Sequence, residues 1–158
     1  MERTQTPEVK GLNDAEQTQV KNETGWSDRV VNDVSSMKEY DVLKKADLRE
    51  EVCNGRVCLV KDDIDPNYVD TKSGLTNRER MERGRPPIDA RTGEQLEIHH
   101  LKQKHDGVFV ELRESEHGDG NHGILHTKME DSWRNDPELQ SQYRIERQNH
   151  WKARAKEL

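Results

Sequence analysis

The second half of the chain carries an apolar pattern that predicts two strands followed by a helix. Residues 96–100 alternate between apolar and polar side chains, and residues 108–112 form a short, mostly apolar run. Short runs of this kind on either side of a turn at 104–107 are typical of paired strands. Residues 117–122 are rich in Gly and are expected to form a loop, and 124–133 is expected to be helical. The predicted order is strand, turn, strand, loop, helix.

The alternation in the first of these strands assigns its side chains to two faces. Because successive side chains of a strand point to opposite sides, Leu96, Ile98 and His100 are expected on one face. Glu97 and His99 are expected on the other face. The two adjacent histidines therefore end this strand on different faces.

The first half of the chain shows weaker patterns of apolar and polar residues. A helix is expected after Ser27, where three valines follow within seven residues, and a second helix is expected at 37–45. A β-hairpin is expected over about 50–60. Residues 1–24 hold few apolar side chains, and this composition predicts a disordered leader or linker.

Helix caps mark two further elements. Thr76 and Glu79 match a capping box, which predicts a short helix that begins after Thr76. Asp136 and Pro137 match a helix start with a cap and a proline at the first position. The helix that begins there is expected to run to about residue 156. Together the elements predict an α+β fold.

Composition and charge narrow the class of protein. Of the 158 residues, 29% are hydrophobic and 37% are charged, which suits one domain with a small core. Residues 1–77 hold 11 Lys and Arg against 16 Asp and Glu, and residues 78–158 hold 15 against 16. The net charge is −6, whereas a protein that binds nucleic acid stably is expected to carry an excess of basic residues. An enzyme that contacts nucleic acid only transiently needs no such excess, and a bound metal would add stability to so lean a core.

The chain contains two cysteines, which flank the hairpin signal Asn54-Gly55. In that register Cys53 faces Arg56 and Cys58 faces Glu51, so the thiols share a face but lie diagonally. We expect them to be somewhat too far apart for an easy disulfide and to be reduced core residues. A zinc role would need partners such as a CxxC pair, and the sequence has none.

The histidines are clustered. All seven lie between His99 and His150. Imidazole is the commonest protein ligand of transition metals and the usual general base near neutral pH. The doublet at the end of a strand makes the second half a candidate metal-dependent hydrolase site. His105 is expected in a turn, and His150 is expected to be a packing or surface histidine.

The spacing of the histidines resembles that of a known superfamily. Sixteen residues separate His100 from His117, and eight separate His117 from His126. This spacing resembles that of the His-Asn-His (HNH) nucleases. Within the HNH/endonuclease VII superfamily, the chain resembles the LHH group of toxin nucleases, which occur at the C-terminus of bacterial polymorphic toxins. Motifs shared with the group are spread along most of the chain after about residue 25: Gly25-Trp26-Ser27-Asp28, Asn54-Gly55-Arg56, Asp63-Ile64-Asp65, Thr76-Asn77-Arg78-Glu79-Arg80, Gly84-Arg85-Pro86-Pro87-Ile88-Asp89, Ile98-His99-His100, Gln103, Glu111-Leu112, Glu116-His117, Asn121, Leu125-His126, Glu146-Arg147 and Trp151-Lys152.

The resemblance implies a fold and a division of the chain. The fold is a ββα-metal (HNH) core with an additional N-terminal helix and β-hairpin region and a long C-terminal helix. Residues 76–158 would form the nuclease core, and 25–75 would be a helical and hairpin region that packs on it or leads to it. Residues 1–24 would be the polar leader.

The resemblance also implies a reaction, the hydrolysis of a phosphodiester by a metal-dependent endonuclease. His100 would accept the proton of the attacking water. His117 stands where the superfamily often has an Asn that holds the hairpin and orients the base, so it belongs to the catalytic set. Two departures from the group are Ile98 in place of its Leu, which fills the same apolar slot, and Lys102 in place of a small residue near the site.

The metal ligands implied by the resemblance are His99 and His126, with Asn121 or His122 as a third. His122 stands four residues before His126, so both can share a helix face. The divalent ion would stabilise the developing negative charge and the leaving oxygen. Mg, Mn, Ni and Zn are all compatible with mixed ligands of this kind.

Basic residues are candidates for phosphate contacts, chiefly in the last helix. We assign nucleic-acid binding to Lys102, Lys128, Arg147 and Lys152. Arg144, Arg154 and Lys156 are further candidates, and a solvated helix face is an equal alternative for the basic residues of the last helix.

The expected partners are a DNA substrate, a cognate immunity protein and a larger delivery protein upstream. Residues 1–20 are polar and resemble no signal peptide, and no apolar stretch has the length of a membrane span. The protein is expected to be a secreted or delivered effector that acts in the cytoplasm of a target cell. Two alternatives remain: a non-catalytic, zinc-stabilised module that binds nucleic acid or protein, and a nuclease directed at RNA.

Overall fold

A computed structural model of the protein describes residues 11–101, 107–118 and 137–158. The elements of these ranges, in chain order, are α1 (Asp14–Thr24), α2 (Asp28–Asp33), α3 (Met37–Lys45), β1 (Leu48–Cys53), β2 (Arg56–Lys61), α4 (Asn77–Glu82), β3 (Leu96–His100), β4 (Phe109–Arg113), α5 (Glu114–Gly118) and α6 (Pro137–Ala155). The α+β class predicted from the sequence is confirmed.

The four strands form one sheet in the order β1-β2-β4-β3. Two antiparallel hairpins, β1–β2 and β3–β4, are joined side by side through a parallel pairing of β2 with β4. The first hairpin turns at Asn54 and Gly55, whose φ angles of 53° and 79° fit the two positive-φ positions of a tight hairpin turn. The predicted hairpin β3–β4 is therefore one half of a larger mixed sheet.

Helices cover both faces of the sheet. On one face, the N-terminal helices α1, α2 and α3 pack their buried side chains against the sheet. The core on this face includes Val20, Val30, Val31, Tyr40 and Leu43 from the helices and Leu59, Val108, Val110 and Leu112 from the strands. On the other face, α4 and α6 close a second core. It includes Met81, Trp151 and Ala155 from the helices and Cys58, Val60, Leu96, Ile98 and Phe109 from the strands.

The N-terminal segment is more ordered than its composition suggested. Residues 14–24 form helix α1 and not the disordered leader expected for 1–24. Asn13 and Glu16 make a reciprocal capping box, and Val20 is fully buried. Val20 and Leu12 join the core, and Glu23 binds Tyr40 and Lys44 of α3, so that both apolar and polar contacts hold this segment.

Most of the predicted boundaries are close to the observed ones. The capping box of Thr76 and Glu79 is present at the start of α4. The expected loop at 117–122 is wrong at its start, because residues 117 and 118 end helix α5. The helix expected at 124–133 lies outside the described residues. No described helix has the length and apolar character that a membrane crossing requires.

A glycine at the end of α4 lets α6 approach closely. Gly84 has a φ of 81°, and a Cβ at this position would lie 2.9 Å from the Cβ of Gln148 in α6. A side chain there would be strained and would push the helix away. This contact holds the middle of α6 against the end of α4.

Candidate active site on strand β3

Strand β3 places the two adjacent histidines on opposite faces of the sheet. His99 pairs in register with Val110, which belongs to the core under α1–α3, and His100 pairs with Phe109, which belongs to the core under α4 and α6. The alternation predicted from the sequence is confirmed. Both rings are buried, with relative exposures of 1% and 3%. The structure therefore does not bring the two imidazoles together on one face.

His99 meets a carboxylate that comes from the N-terminal region. Its Nε2 lies 3.6 Å from Oε2 of Glu39 in α3, and both side chains are fully buried. The other carboxylate oxygen accepts a hydrogen bond from the backbone N–H of Ser35 at 2.7 Å. A backbone donor and the first turn of α3 thus hold Glu39 against the imidazole.

The sequence analysis did not identify Glu39 as a site residue, because its position in the sequence indicates a helix cap. Ser36 and Glu39 have the spacing of a capping box, and the Ser36 hydroxyl does accept the N–H of Glu39. The Glu39 side chain does not reach back to the cap residue but bonds to Ser35 and turns toward His99. Only the packing of α3 on the sheet shows this.

His100 lies between two aromatic rings. Its ring centroid is 4.8 Å from that of Phe109, edge to face, and 4.3 Å from that of Tyr143 in α6. The Tyr143 hydroxyl donates a hydrogen bond to the carbonyl of Ile98 at 3.2 Å, which ties α6 to β3 next to the imidazole. Packing of this kind fixes the orientation of the His100 ring. Tyr143 was not predicted, since nothing near it in the sequence points to β3.

A groove runs along β3 past residues 95–98, and its lining does not include His100. Its volume is about 500 Å³, and it lies between the strand and α6. Arg147 lines it and stacks its guanidinium 4.4 Å from the centre of the Tyr143 ring. Arg144 and Trp151 also line it. Exposed guanidinium groups next to aromatic rings suit a polyanion with bases to stack.

The remaining predicted site residues fall into three groups. Lys152 is exposed on α6 but is not among the residues that line the groove. His117 lies in α5, where the structure describes its backbone only. The others lie outside the described residues: Lys102, Asn121, His122, His126 and Lys128. His105, which was expected in a turn, also lies outside them.

A buried network of charges lies on the same face as His100, on the neighbouring strand. Glu111 of β4 bonds to Nε2 of His150 at 2.6 Å and to Nε of Arg154 at 2.8 Å. Burial alone would raise the pKa of the Glu111 carboxyl, but His150 and Arg154 outweigh this effect and hold the pKa below its usual value. His150 is therefore a buried, bonded residue. Arg154, a candidate for phosphate contact, is instead only 2% exposed and committed to this network.

The two cysteines lie closer to each other than predicted. The predicted register holds, with Cys53 opposite Arg56 and Cys58 opposite Glu51. The Sγ atoms nevertheless lie 2.8 Å apart, so the expectation of a separation too large for a disulfide is wrong. The twist of the hairpin brings the diagonal positions together. Both residues are free cysteines and buried, as expected.

Comparison with known families decides the class of this protein. The family model of LHH, described as a nuclease of the HNH/ENDO VII superfamily with conserved LHH, matches residues 76–157, more than half of the chain. The chain belongs to the LHH nuclease family. No solved structure matches it. The LHH match confirms the resemblance identified from the sequence, and it makes the protein a nuclease with a nucleic-acid substrate.

The described residues of this LHH nuclease supply part of a donor set for a divalent ion. His99 offers an imidazole nitrogen, and the carboxylate of Glu39 lies 3.6 Å from it, where it can fix the direction of the ring. An imidazole held in this way suits the divalent metals that HNH-type nucleases use. The other proposed ligands, His126, Asn121 and His122, lie outside the described residues. The donor chemistry present therefore fits a divalent ion.

Among residues 11–101, 107–118 and 137–158, the groups that bring three ligand atoms together lie elsewhere. One contains Cys53, Cys58 and His150, and the other contains Glu51, Cys53 and Glu157. Neither includes the doublet. The sequence analysis did not connect His150 with the cysteines, because about ninety residues separate them in the chain.

Proposed function

We propose that this LHH nuclease is a metal-dependent endonuclease that hydrolyses DNA. The observation that carries the proposal is the family match over 76–157, which includes the doublet at the end of β3. The same match supports metal dependence, since nucleases of this superfamily typically use a divalent metal. The groove with its two exposed arginines supports a polyanionic substrate.

In the proposed mechanism His100 acts as the general base. It removes a proton from the water whose oxygen attacks phosphorus, while the bond to the opposite ester oxygen breaks. Phe109 and Tyr143 fix the plane of its ring, so that one nitrogen keeps a constant direction through the reaction. His117 helps to hold the hairpin and orient the base.

His99 is proposed as a metal ligand, together with His126 and with Asn121 or His122. The chemistry that a divalent ion supplies when bound is stabilisation of the negative charge on phosphorus-bound oxygens and on the leaving oxygen. Glu39 is proposed to fix the orientation of the His99 ring. A carboxylate beside a ligating histidine commonly has this function, and it raises the basicity of the imidazole.

The substrate is proposed to enter along the groove between β3 and α6. Arg147 stands over Tyr143 at the groove wall and would contact a phosphate. Lys152, exposed on α6 outside the groove, is proposed to contact phosphate beyond it, and Lys102 and Lys128 complete the proposed basic set. The same helix thus orients His100 and holds the nucleic acid.

In biological terms we propose that the protein is the toxin module of an effector used in competition between bacteria. The resemblance to toxin nucleases supports this function, and it implies a cognate immunity protein and a larger delivery protein. The site of action is then the cytoplasm of a target cell.

Cleavage of matched DNA and RNA substrates tests the proposal. Supercoiled plasmid and a structured RNA of similar mass are incubated with the full chain, with EDTA and after addition of Mg, Mn, Ni or Zn. The expected result is nicking of the plasmid that EDTA abolishes and a divalent metal restores. Cleavage of RNA alone would replace DNA by RNA as the substrate. Absence of cleavage with every metal would favour a non-catalytic zinc-stabilised binding module.

Expression in bacterial cells tests the toxin function separately. Induction of the wild-type chain in the cytoplasm should abolish viability and fragment the chromosomal DNA. His100→Ala at equal expression should do neither. Normal growth with active wild-type protein would rule out the toxin function and leave the nuclease activity standing.

A further inference from the structure

A second cluster of metal-ligating side chains lies in the sheet, away from the nuclease doublet. The tight turn of β1–β2 brings Cys53 and Cys58 together, and α6 places His150 over them. One ligand atom from each of the three residues lies within 4.8 Å of those of the other two. All three side chains are buried, with exposures of 3%, 0% and 2%.

The histidine of this cluster is held in the manner of a metal ligand. Its Nε2 lies 2.6 Å from a carboxylate oxygen of Glu111, which leaves the other ring nitrogen for a different partner. Arg154 bonds to the same carboxylate at 2.8 Å and so fixes the position of Glu111. A carboxylate that binds the second nitrogen of a histidine is the common arrangement behind zinc-bound imidazole, because it sets the tautomer and the ring direction.

We propose that Cys53, Cys58 and His150 form a zinc-binding site that stabilises the fold and is separate from the nuclease site. Two thiolates and an imidazole are the donors that zinc prefers in structural sites. Zinc bound there would link the first hairpin to the C-terminal helix, which belong to opposite ends of the chain. On binding, the protons of the thiols are released to solvent.

The surroundings of the two cysteines and His150 also suit a bound zinc ion. Three protein ligands leave the fourth position of a tetrahedral zinc to a water molecule. A cavity of about 390 Å³ is lined by Cys53 and His150 and gives an ion a path from the surface. A stabilising ion also fits a chain with only 29% hydrophobic residues.

A disulfide is the competing use of the two cysteines. Zinc would hold the sulfurs about 3.7 Å apart, so they would separate by about 1 Å from their present 2.8 Å. A disulfide would draw them to about 2.05 Å. The buried imidazole favours zinc, since a disulfide requires no third ligand and no carboxylate behind it.

Cobalt titration of the full chain tests the site, because a thiolate bound to cobalt gives a charge-transfer band in the near ultraviolet. The protein is freed of metal under reducing conditions and titrated with cobalt(II) alone. We expect the band to saturate at one cobalt per chain and to disappear when zinc is added. Cys58→Ser should abolish the band, and the matched control His99→Ala, at the nuclease site, should retain it.

A second measurement uses the wild-type chain, so its result does not depend on whether a variant folds. The buried thiols of the native wild-type chain react only when the structure opens locally, and their modification should be at least tenfold slower with zinc than without metal. A missing charge-transfer band at saturating cobalt, or unchanged thiol reactivity with zinc, would overturn the proposal. Sulfurs that resist modification until a reductant is added would show a disulfide and also overturn it. None of these results depends on DNA cleavage, so the nuclease proposal stands or fails separately.

Discussion

Glu39 of helix α3 and His99 of strand β3 meet across the boundary of the family match. Their Oε2 and Nε2 atoms lie 3.6 Å apart, and neither side chain is exposed. The match begins at residue 76, so Glu39 belongs to the part of the chain that it does not cover. The N-terminal region therefore contributes a charged group to the surroundings of the doublet.

We predict that Glu39→Gln slows cleavage by about 10- to 100-fold, which is the usual effect of removing a carboxylate behind a ligating histidine. Glutamine keeps the shape of the side chain and can still accept the hydrogen bond from Ser35. The measurement is the initial rate of plasmid nicking over a range of metal concentrations. A higher metal concentration should be needed for half of the maximal rate.

Glu23→Gln is the matched control. Glu23 also lies in the N-terminal region and accepts a hydrogen bond from Tyr40, and in the part of the chain that the structure describes no hydrogen bond joins it to a proposed site residue. Its cleavage rate and metal requirement should equal those of the wild type. Equal behaviour of the two variants would remove Glu39 from the site.

The family-matched segment is predicted not to fold by itself. Val108, Val110 and Leu112 face a core that the N-terminal helices complete, and β4 pairs with β2 on one side. Removal of residues 1–75 would expose this face, remove the strand that pairs with β4 and leave β3–β4 with helices on one face only. Urea unfolding of residues 76–158 should show no cooperative transition. A cooperative transition with retained cleavage would contradict this prediction.

Arg154→Met is predicted to destabilise the protein by about 3 kcal/mol or more, the usual cost of removing one partner of a buried ion pair. The variant removes the guanidinium from Glu111 and leaves the carbonyl of Lys61 without its 2.7 Å hydrogen bond. Lys156→Met, an exposed position two residues later, should change stability by less than about 0.5 kcal/mol. Urea unfolding of both variants gives the comparison. Equal stabilities would show that the network is dispensable.

Arg147→Gln is predicted to weaken DNA binding and to lower its salt dependence. A lost phosphate contact should reduce the slope of log affinity against log salt by about 0.9 for duplex DNA. Fluorescence anisotropy in a His100→Ala background measures binding without cleavage. Lys45→Gln, which removes a charge from α3, should leave the slope unchanged. A slope equal in both variants would place the substrate outside the groove.

Local sequence patterns were sufficient to predict several of the strands, turns and helix starts. The alternation of Leu96, Ile98 and His100 fixed their common face, and the cap at Thr76 fixed the start of α4. Asn54 and Gly55 fixed the register of the first hairpin. Each of these signals involves residues close together in the chain, so a single sequence contains it in full.

Contacts between distant segments could not be predicted in the same way. The spacing of Glu39 from Ser36 indicates only a helix cap. Its contact with His99 depends on how α3 packs on β3. His150 joins Cys53 and Cys58 only because α6 returns to the first hairpin. Helix α1 was missed because its polar composition hid the buried valine that joins the core.

The most direct test is the rate at which His100→Ala nicks supercoiled plasmid, measured on samples whose bound metal has been quantified. A general base contributes about 10²- to 10⁴-fold, so the rate should fall by at least about 100-fold at saturating divalent metal. The metal content should equal that of the wild type, since His100 is not a proposed ligand. A rate within about threefold of the wild type, with the same metal content, would contradict the assignment of His100 as the base.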